Sequence, residues 1–305
     1  MVPMPKAALL FPGQGAQTVG MAKELCARHS ISKRVFDDAA QILGFDLLDV
    51  CVNGPAERLN STAVSQPAIY VASLAALESL RTENPGLEAE VVAAAGLSLG
   101  EYTALAYAGA LNFADGLRLV QKRGEAMQAA ADATPSGMVS VLGLSQDRVE
   151  ELCAKARVQG RIQIANLLCP NNIVVSGVTA ACDEVERLAP EFGAMKTIRL
   201  AVAGAFHTDI MKPADEKLAA ALDQFRLQTP RLPVWSNVDA QPHTDPDEIR
   251  GLLVRQVLQP VLWEQTMRNL LQAGVAKFYE IGPGRVLAGL LKRVDRKIVC
   301  DNVAA

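Results

Sequence analysis

The sequence predicts an α/β fold with a mainly parallel sheet and a smaller ferredoxin-like subdomain inserted into it. Three observations predict this. Short apolar runs alternate with longer amphipathic segments along most of the chain, the pattern of strands that cross back through helices. Two of the apolar runs end in glycine-rich turns, Pro12-Gly13-Gln14-Gly15 and Gly96-Leu97-Ser98-Leu99-Gly100. The segment Ser136–Ala203 breaks the alternation and reads β, α, β, β, α, β, the order of the ferredoxin-like unit. With 305 residues, half of them apolar, the chain is long enough to bury a sizeable core.

Ala7–Phe11 is uniformly apolar and reads as the first strand. Ligand sites in open parallel sheets lie outside the carboxyl ends of the strands, so the turn around Gln14 falls where chemistry is expected. Val91–Ala95 is the next apolar run. It leads through Gly96–Gly100 into a helical stretch, the strand, tight turn and helix of a nucleophile elbow. Glycines flanking Ser98 let the backbone turn sharply, leaving a hydroxyl at a helix N-terminus among N–H groups without helical partners. Such donors can hold an oxyanion. The plainer alternative is a glycine-containing turn with an incidental serine.

Phe113–Ala133 carries Phe113, Leu117, Val120, Gly124, Met127 and Ala131 at spacings of four and three, which predicts a helix with one apolar stripe. At about 100° per residue, Arg123 falls about 80° from the centre of that stripe and Lys122 points outward. Arg123 is therefore expected to be half-buried. A guanidinium taken out of water needs a partner, either an internal carboxylate or an anionic ligand. Thr134-Pro135 enters the subdomain and Ala203-Gly204 leaves it, dividing the chain into a large domain, 1–133 and 205–305, and a small one, 134–204. A cleft between them is the natural ligand site. The last helix follows Gly282-Pro283-Gly284. Arg285, Lys292 and Arg296 are read on one of its faces, opposite Leu287, Leu290, Leu291 and Val294. That face is either simply solvated or a docking patch for an acidic partner.

Composition excludes several classes of function. The formal net charge is −3 with no long basic run, so nucleic-acid binding has no electrostatic footprint. Six cysteines are scattered without a CxxC pair among only three histidines, which suggests neither a metal site nor a disulfide framework. A reducing cytoplasm fits that usage. The apolar run at Ala7–Phe11 is too short for a signal peptide or a membrane span.

A serine nucleophile needs a base. His29 and His243 lie in polar, turn-rich segments and read as surface residues, whereas His207 follows Ala203-Gly204-Ala205-Phe206, where the chain returns beside the cleft. No acidic residue between Ser98 and His207 stands out as a third triad member, so a backbone carbonyl is the alternative orienter of the imidazole.

Six collinear motifs carry a resemblance: Phe11–Gln17 (FPGQGAQ), Gly96–Tyr102 (GLSLGEY), Arg118–Gly124 (RLVQKRG), Ala205–His207 (AFH), Arg255–Val261 (RQVLQPV) and Glu280–Gly284 (EIGPG). Together they resemble the malonyl-CoA:acyl carrier protein transacylases over nearly the whole chain. The resemblance implies an α/β-hydrolase-like large domain with a ferredoxin-like insertion, malonyl-CoA and acyl carrier protein as partners, and CoA as leaving group with no other cofactor. By motif, it implies Ser98 as nucleophile, His207 as base, and the Gln256 main-chain carbonyl as the group orienting the imidazole. The main-chain N–H groups of Gln14 and Leu99 become the oxyanion hole, and Arg123 the grip on the malonyl carboxylate. Phe206 is similar to the bulky ring that limits room at the substrate α-carbon, and Asn166 matches a cleft position. Leu97 departs from the family, which usually carries histidine immediately before the nucleophile. The same serine and histidine could also serve a thioester hydrolase or a transacylase of other acyl specificity. A carrier-binding module without catalysis is the reading from a different class.

Overall fold

A computed structural model describes residues 6–305. Strands β1 (Ala7–Phe11), β2 (Val91–Gly96), β3 (Ser136–Leu142), β4 (Ile162–Cys169), β5 (Asn172–Val178), β6 (Lys196–Arg199), β7 (Val234–Trp235), β8 (Pro242–His243), β9 (Lys277–Gly282) and β10 (Val299–Ala304) form two sheets. The first has the order β10-β9-β1-β2-β7-β8 and the second β4-β5-β3-β6. Every pairing in the first sheet is parallel except β7 with β8. Every pairing in the second is antiparallel.

β1 lies inside the large sheet, between β2 and β9, and all five of its residues are buried. This is why it reads as a continuous apolar run: helices cover both faces of a parallel sheet, so no position alternates outward. The register pairs Phe11 with Gly96, and Leu97 donates its N–H to the Phe11 carbonyl at 3.0 Å. The turns after the two strands are thereby placed side by side.

The small sheet alternates instead. On β5, Val175 joins the core formed with the helices Gln146–Ala156 and Thr179–Leu188, while its neighbour Val174 packs into the main core toward the large domain. The βαββαβ order stands as read, with shifted ends. The second helix runs over Thr179–Leu188 and the last strand ends at Arg199, four residues before the end of the segment at Ala203. Phe113–Ala133 is one helix, as its stripe predicts. The helix after Gly284 is shorter than read, Val286–Val294, with Asp295 already extended. Arg285 precedes it and Arg296 follows it, so the three cations are exposed but do not share a helical face. Among the described residues no helix is long and apolar enough to cross a membrane.

Candidate active site

The turn after β2 is a tight elbow. Ser98 has φ 51°, a left-handed conformation that costs a serine about 1–3 kcal/mol and persists only where the surroundings impose it. Glycine on either side is a steric requirement: a Cβ on Gly96 would lie 1.9 Å from the Gly100 carbonyl carbon, and one on Gly100 would lie 2.1 Å from the Phe11 oxygen. The strand, the elbow and the following helix Gly100–Tyr107 can therefore close onto one another. Asn237, just after β7, braces the turn from the other side. Its Oδ1 accepts the Ser98 N–H at 2.6 Å, and its Nδ2 donates to the Gly96 carbonyl at 2.7 Å.

His207 is 3% exposed and faces this turn, its Nε2 2.9 Å from Ser98 Oγ. Nδ1 lies 2.7 Å from the Gln256 main-chain oxygen, and that acceptor puts the proton on Nδ1 and leaves Nε2 free to accept the serine proton. Burial, reinforced by the Arg123 charge, pushes the imidazole down to about 4, so it is a neutral base at physiological pH. Like Ser98, His207 has a left-handed backbone, φ 61°. The other two histidines lie elsewhere and are half-buried rather than ordinary surface residues. His29 pairs with Glu83, and His243 lies between Asp239 and Glu248.

Arg123 is 1% exposed, fully buried rather than half-buried. A helical wheel counts only the apolar residues of its own helix, whereas the cover here comes from Gln66, Tyr102 and Gln256 on other elements. Nη1 donates to Gln66 Oε1 at 2.7 Å; Nη2 donates to Gln256 Oε1 at 3.0 Å and to Ser98 Oγ at 3.1 Å. The guanidinium carbon lies over the Tyr102 ring, 5.2 Å from its centroid. These hydrogen-bond acceptors are all neutral, and Nε has no partner. Burial lowers the guanidinium's pKa, yet arginine stays charged in proteins. Of the two fates open to a buried guanidinium, this arrangement favours waiting for an anion beside the serine.

The main-chain N–H groups of Gln14 and Leu99 donate to no protein acceptor among the described residues, and both residues line the cavity with Ser98. The cavity has a volume of about 170 Å³. Phe206, Asn166 and Leu97 are also in its wall; Asn166 is held where β4 runs beside Val261. Val286 and Leu290 reach it from the last helix, which sets Arg285 next to its border. Arg296 lies beyond the far end of that helix.

Sequence reasoning missed three polar residues of this site: Gln66, Asn237 and Glu101. Glu101 is 3% exposed, and burial pushes its carboxyl up to about 7 against the opposing pull of Asn237, Gln256 and Arg123. It lies within the Gly96–Tyr102 motif, a lone acid at the head of an otherwise apolar helix, but that motif implies no role for it. Gln66 and Asn237 belong to no motif spacing and carry no signal.

Residues 8–300 match the acyl transferase domain family. A Bacillus subtilis protein named malonyl CoA-acyl carrier protein transacylase is 41% identical over 97% of this chain and 92% of its own length. The solved structure of the malonyl CoA-acyl carrier protein transacylase of Coxiella burnetii superposes with TM-score 0.95 at 36% identity, covering 98% of this chain and 94% of that one. A malonyl-transacylase solved in complex with its type II PKS acyl-carrier protein superposes with TM-score 0.93 at 34% identity, covering 98% and 96%.

Proposed function

The chain belongs to the acyl transferase domain family, and on that premise we propose that it transfers a malonyl group from malonyl-CoA to the phosphopantetheine thiol of acyl carrier protein through an ester on Ser98. One observation carries the acyl specificity: a buried, charged guanidinium with only neutral partners touches the hydroxyl at 3.1 Å. A planar fork there suits a carboxylate in a bidentate pair, whereas an acetyl group would leave the charge unmet.

In the first half-reaction His207 Nε2 takes the Ser98 proton and Oγ attacks the thioester carbon. The N–H groups of Gln14 and Leu99 stabilise the oxyanion. Collapse breaks the C–S bond, the proton on His207 goes to the departing CoA sulfur, and malonyl stays on Ser98. In the second half His207 takes the proton of the carrier thiol, whose sulfur attacks the ester carbon, and Ser98 recovers its proton as it leaves. The reaction calls for no metal or redox group. Arg285, adjoining Val286 at the apolar border, supplies charge complementary to an acidic carrier, with Lys292 exposed on the same helix and Arg296 beyond its end.

Incubation with labelled malonyl-CoA tests this reading. The expected result is a base-labile malonyl adduct mapping to Ser98, discharged by added phosphopantetheinylated carrier protein. Rapid release as free malonate with no transfer identifies a hydrolase. Carrier binding with no adduct identifies a module without catalysis.

A further inference from the structure

Glu101 is buried, and the half-reactions above have no step for it. Its Oε2 accepts the Asn237 main-chain N–H at 3.0 Å and Gln256 Nε2–H at 2.7 Å. Gln256, 0% exposed, touches His207, Arg123 and the Ser98 main chain. Its main-chain oxygen holds His207, its Oε1 accepts from Arg123 Nη2, and its Nε2 donates to the Ser98 carbonyl at 3.1 Å as well as to Glu101.

A carboxamide has one donor end and one acceptor end, so its orientation decides whether Arg123 meets a lone pair or an opposing N–H. An acceptor placed against Nε2 fixes that choice. Without the Glu101 carboxylate, the shorter of the two Nε2 contacts at 2.7 Å, only the Ser98 carbonyl at 3.1 Å would oppose a half-turn of the amide, which sets NH2 against the guanidinium and pushes Arg123 off its line to Ser98. We propose that Glu101 is a positioning residue: by locking the Gln256 amide it aims Arg123 at the acyl group on Ser98, and so sets the preference for acyl groups that end in a carboxylate. The proposal rests on the reading of Arg123 as the carboxylate grip.

The test measures Ser98 acylation by malonyl-CoA and by acetyl-CoA, followed by intact-protein mass, in four proteins: the parent, Arg123→Ala, Glu101→Leu and Glu101→Gln. Leucine keeps the volume and removes the acceptor, and should lower the malonyl-to-acetyl rate ratio by about tenfold or more. Glutamine can place its carbonyl where Oε2 stood, and should keep the ratio within about threefold of the parent. A ratio unmoved in Glu101→Leu, or lost equally in Glu101→Gln, overturns the proposal. If Glu101→Leu does not fold, Gln256→Leu takes its place; it keeps the main-chain carbonyl and should show the same fall, and an unchanged ratio there is equally fatal. Arg123→Ala separates the two levels. A ratio retained in that variant removes the grip itself, and the proposal with it. A ratio lost there but intact in Glu101→Leu removes the positioning role alone.

Discussion

The two sheets share one cavity and contribute different things to it. From the large sheet come the turns at the carboxyl ends of its strands: Gln14 after β1, Ser98 after β2 and Asn237 after β7. From the small sheet come side chains on a face, Met138, Asn166 and Val174. Strand polarity explains the division. Parallel strands deliver their ends to one edge, where loops can place main-chain donors and reactive side chains together, while antiparallel strands alternate direction and offer a wall. Backbone strain follows the same line. In the small subdomain the left-handed non-glycine residue is Asn171, in the tight hairpin between β4 and β5, where asparagine is readily accommodated. At the site the left-handed residues are Ser98 and His207, held there by hydrogen bonds and close packing.

If chemistry lives on the large sheet, the largest effect should come from its base. His207→Ala should slow Ser98 acylation by about 10²–10⁴-fold in pre-steady-state measurements, and a loss under about tenfold would break the comparison. The pH profile sharpens it. Protonated His207 cannot accept the serine proton, and its pKa is pushed down to about 4 from the ordinary 6.5. Acylation by a neutral ester, which does not depend on Arg123, should hold from neutrality down through pH 6.5 and fall only as about 4 is approached. A midpoint at the ordinary histidine value would mean an exposed imidazole. The smallest effects belong to the small sheet. Val174→Ala and Val175→Ala remove equivalent buried side chains from opposite faces of β5, and each should cost on the order of 2 kcal/mol in denaturant unfolding. Val174→Ala alone should change which acyl groups are accepted; a matching change in Val175→Ala would deny the small sheet a working face.

Much of this arrangement was legible in the sequence, because continuous apolar runs, glycine turns and a helical stripe are local signals. β1, the elbow around Ser98 and the helix Phe113–Ala133 are of that kind, and the spacing of the six motifs supplied the acyl transferase family. What was not legible depends on contacts between distant segments. The burial of Arg123 is decided by Gln66 and Gln256, 57 and 133 residues away in the chain. The brace on the elbow comes from Asn237, 139 residues from Ser98. The reading of the last helix failed for a different reason: a shared helical face cannot show that Asp295 has already left the helix, which removed Arg296 from that face.

The structure of the malonylated protein is the most direct test of the claim that hydroxyl, imidazole and guanidinium act on one acyl group. The account predicts a malonyl ester on Ser98 whose free carboxylate forms paired hydrogen bonds with the Arg123 guanidinium and whose carbonyl oxygen lies between the Gln14 and Leu99 N–H groups. A carboxylate turned away from Arg123, toward solvent or another cation, would contradict it.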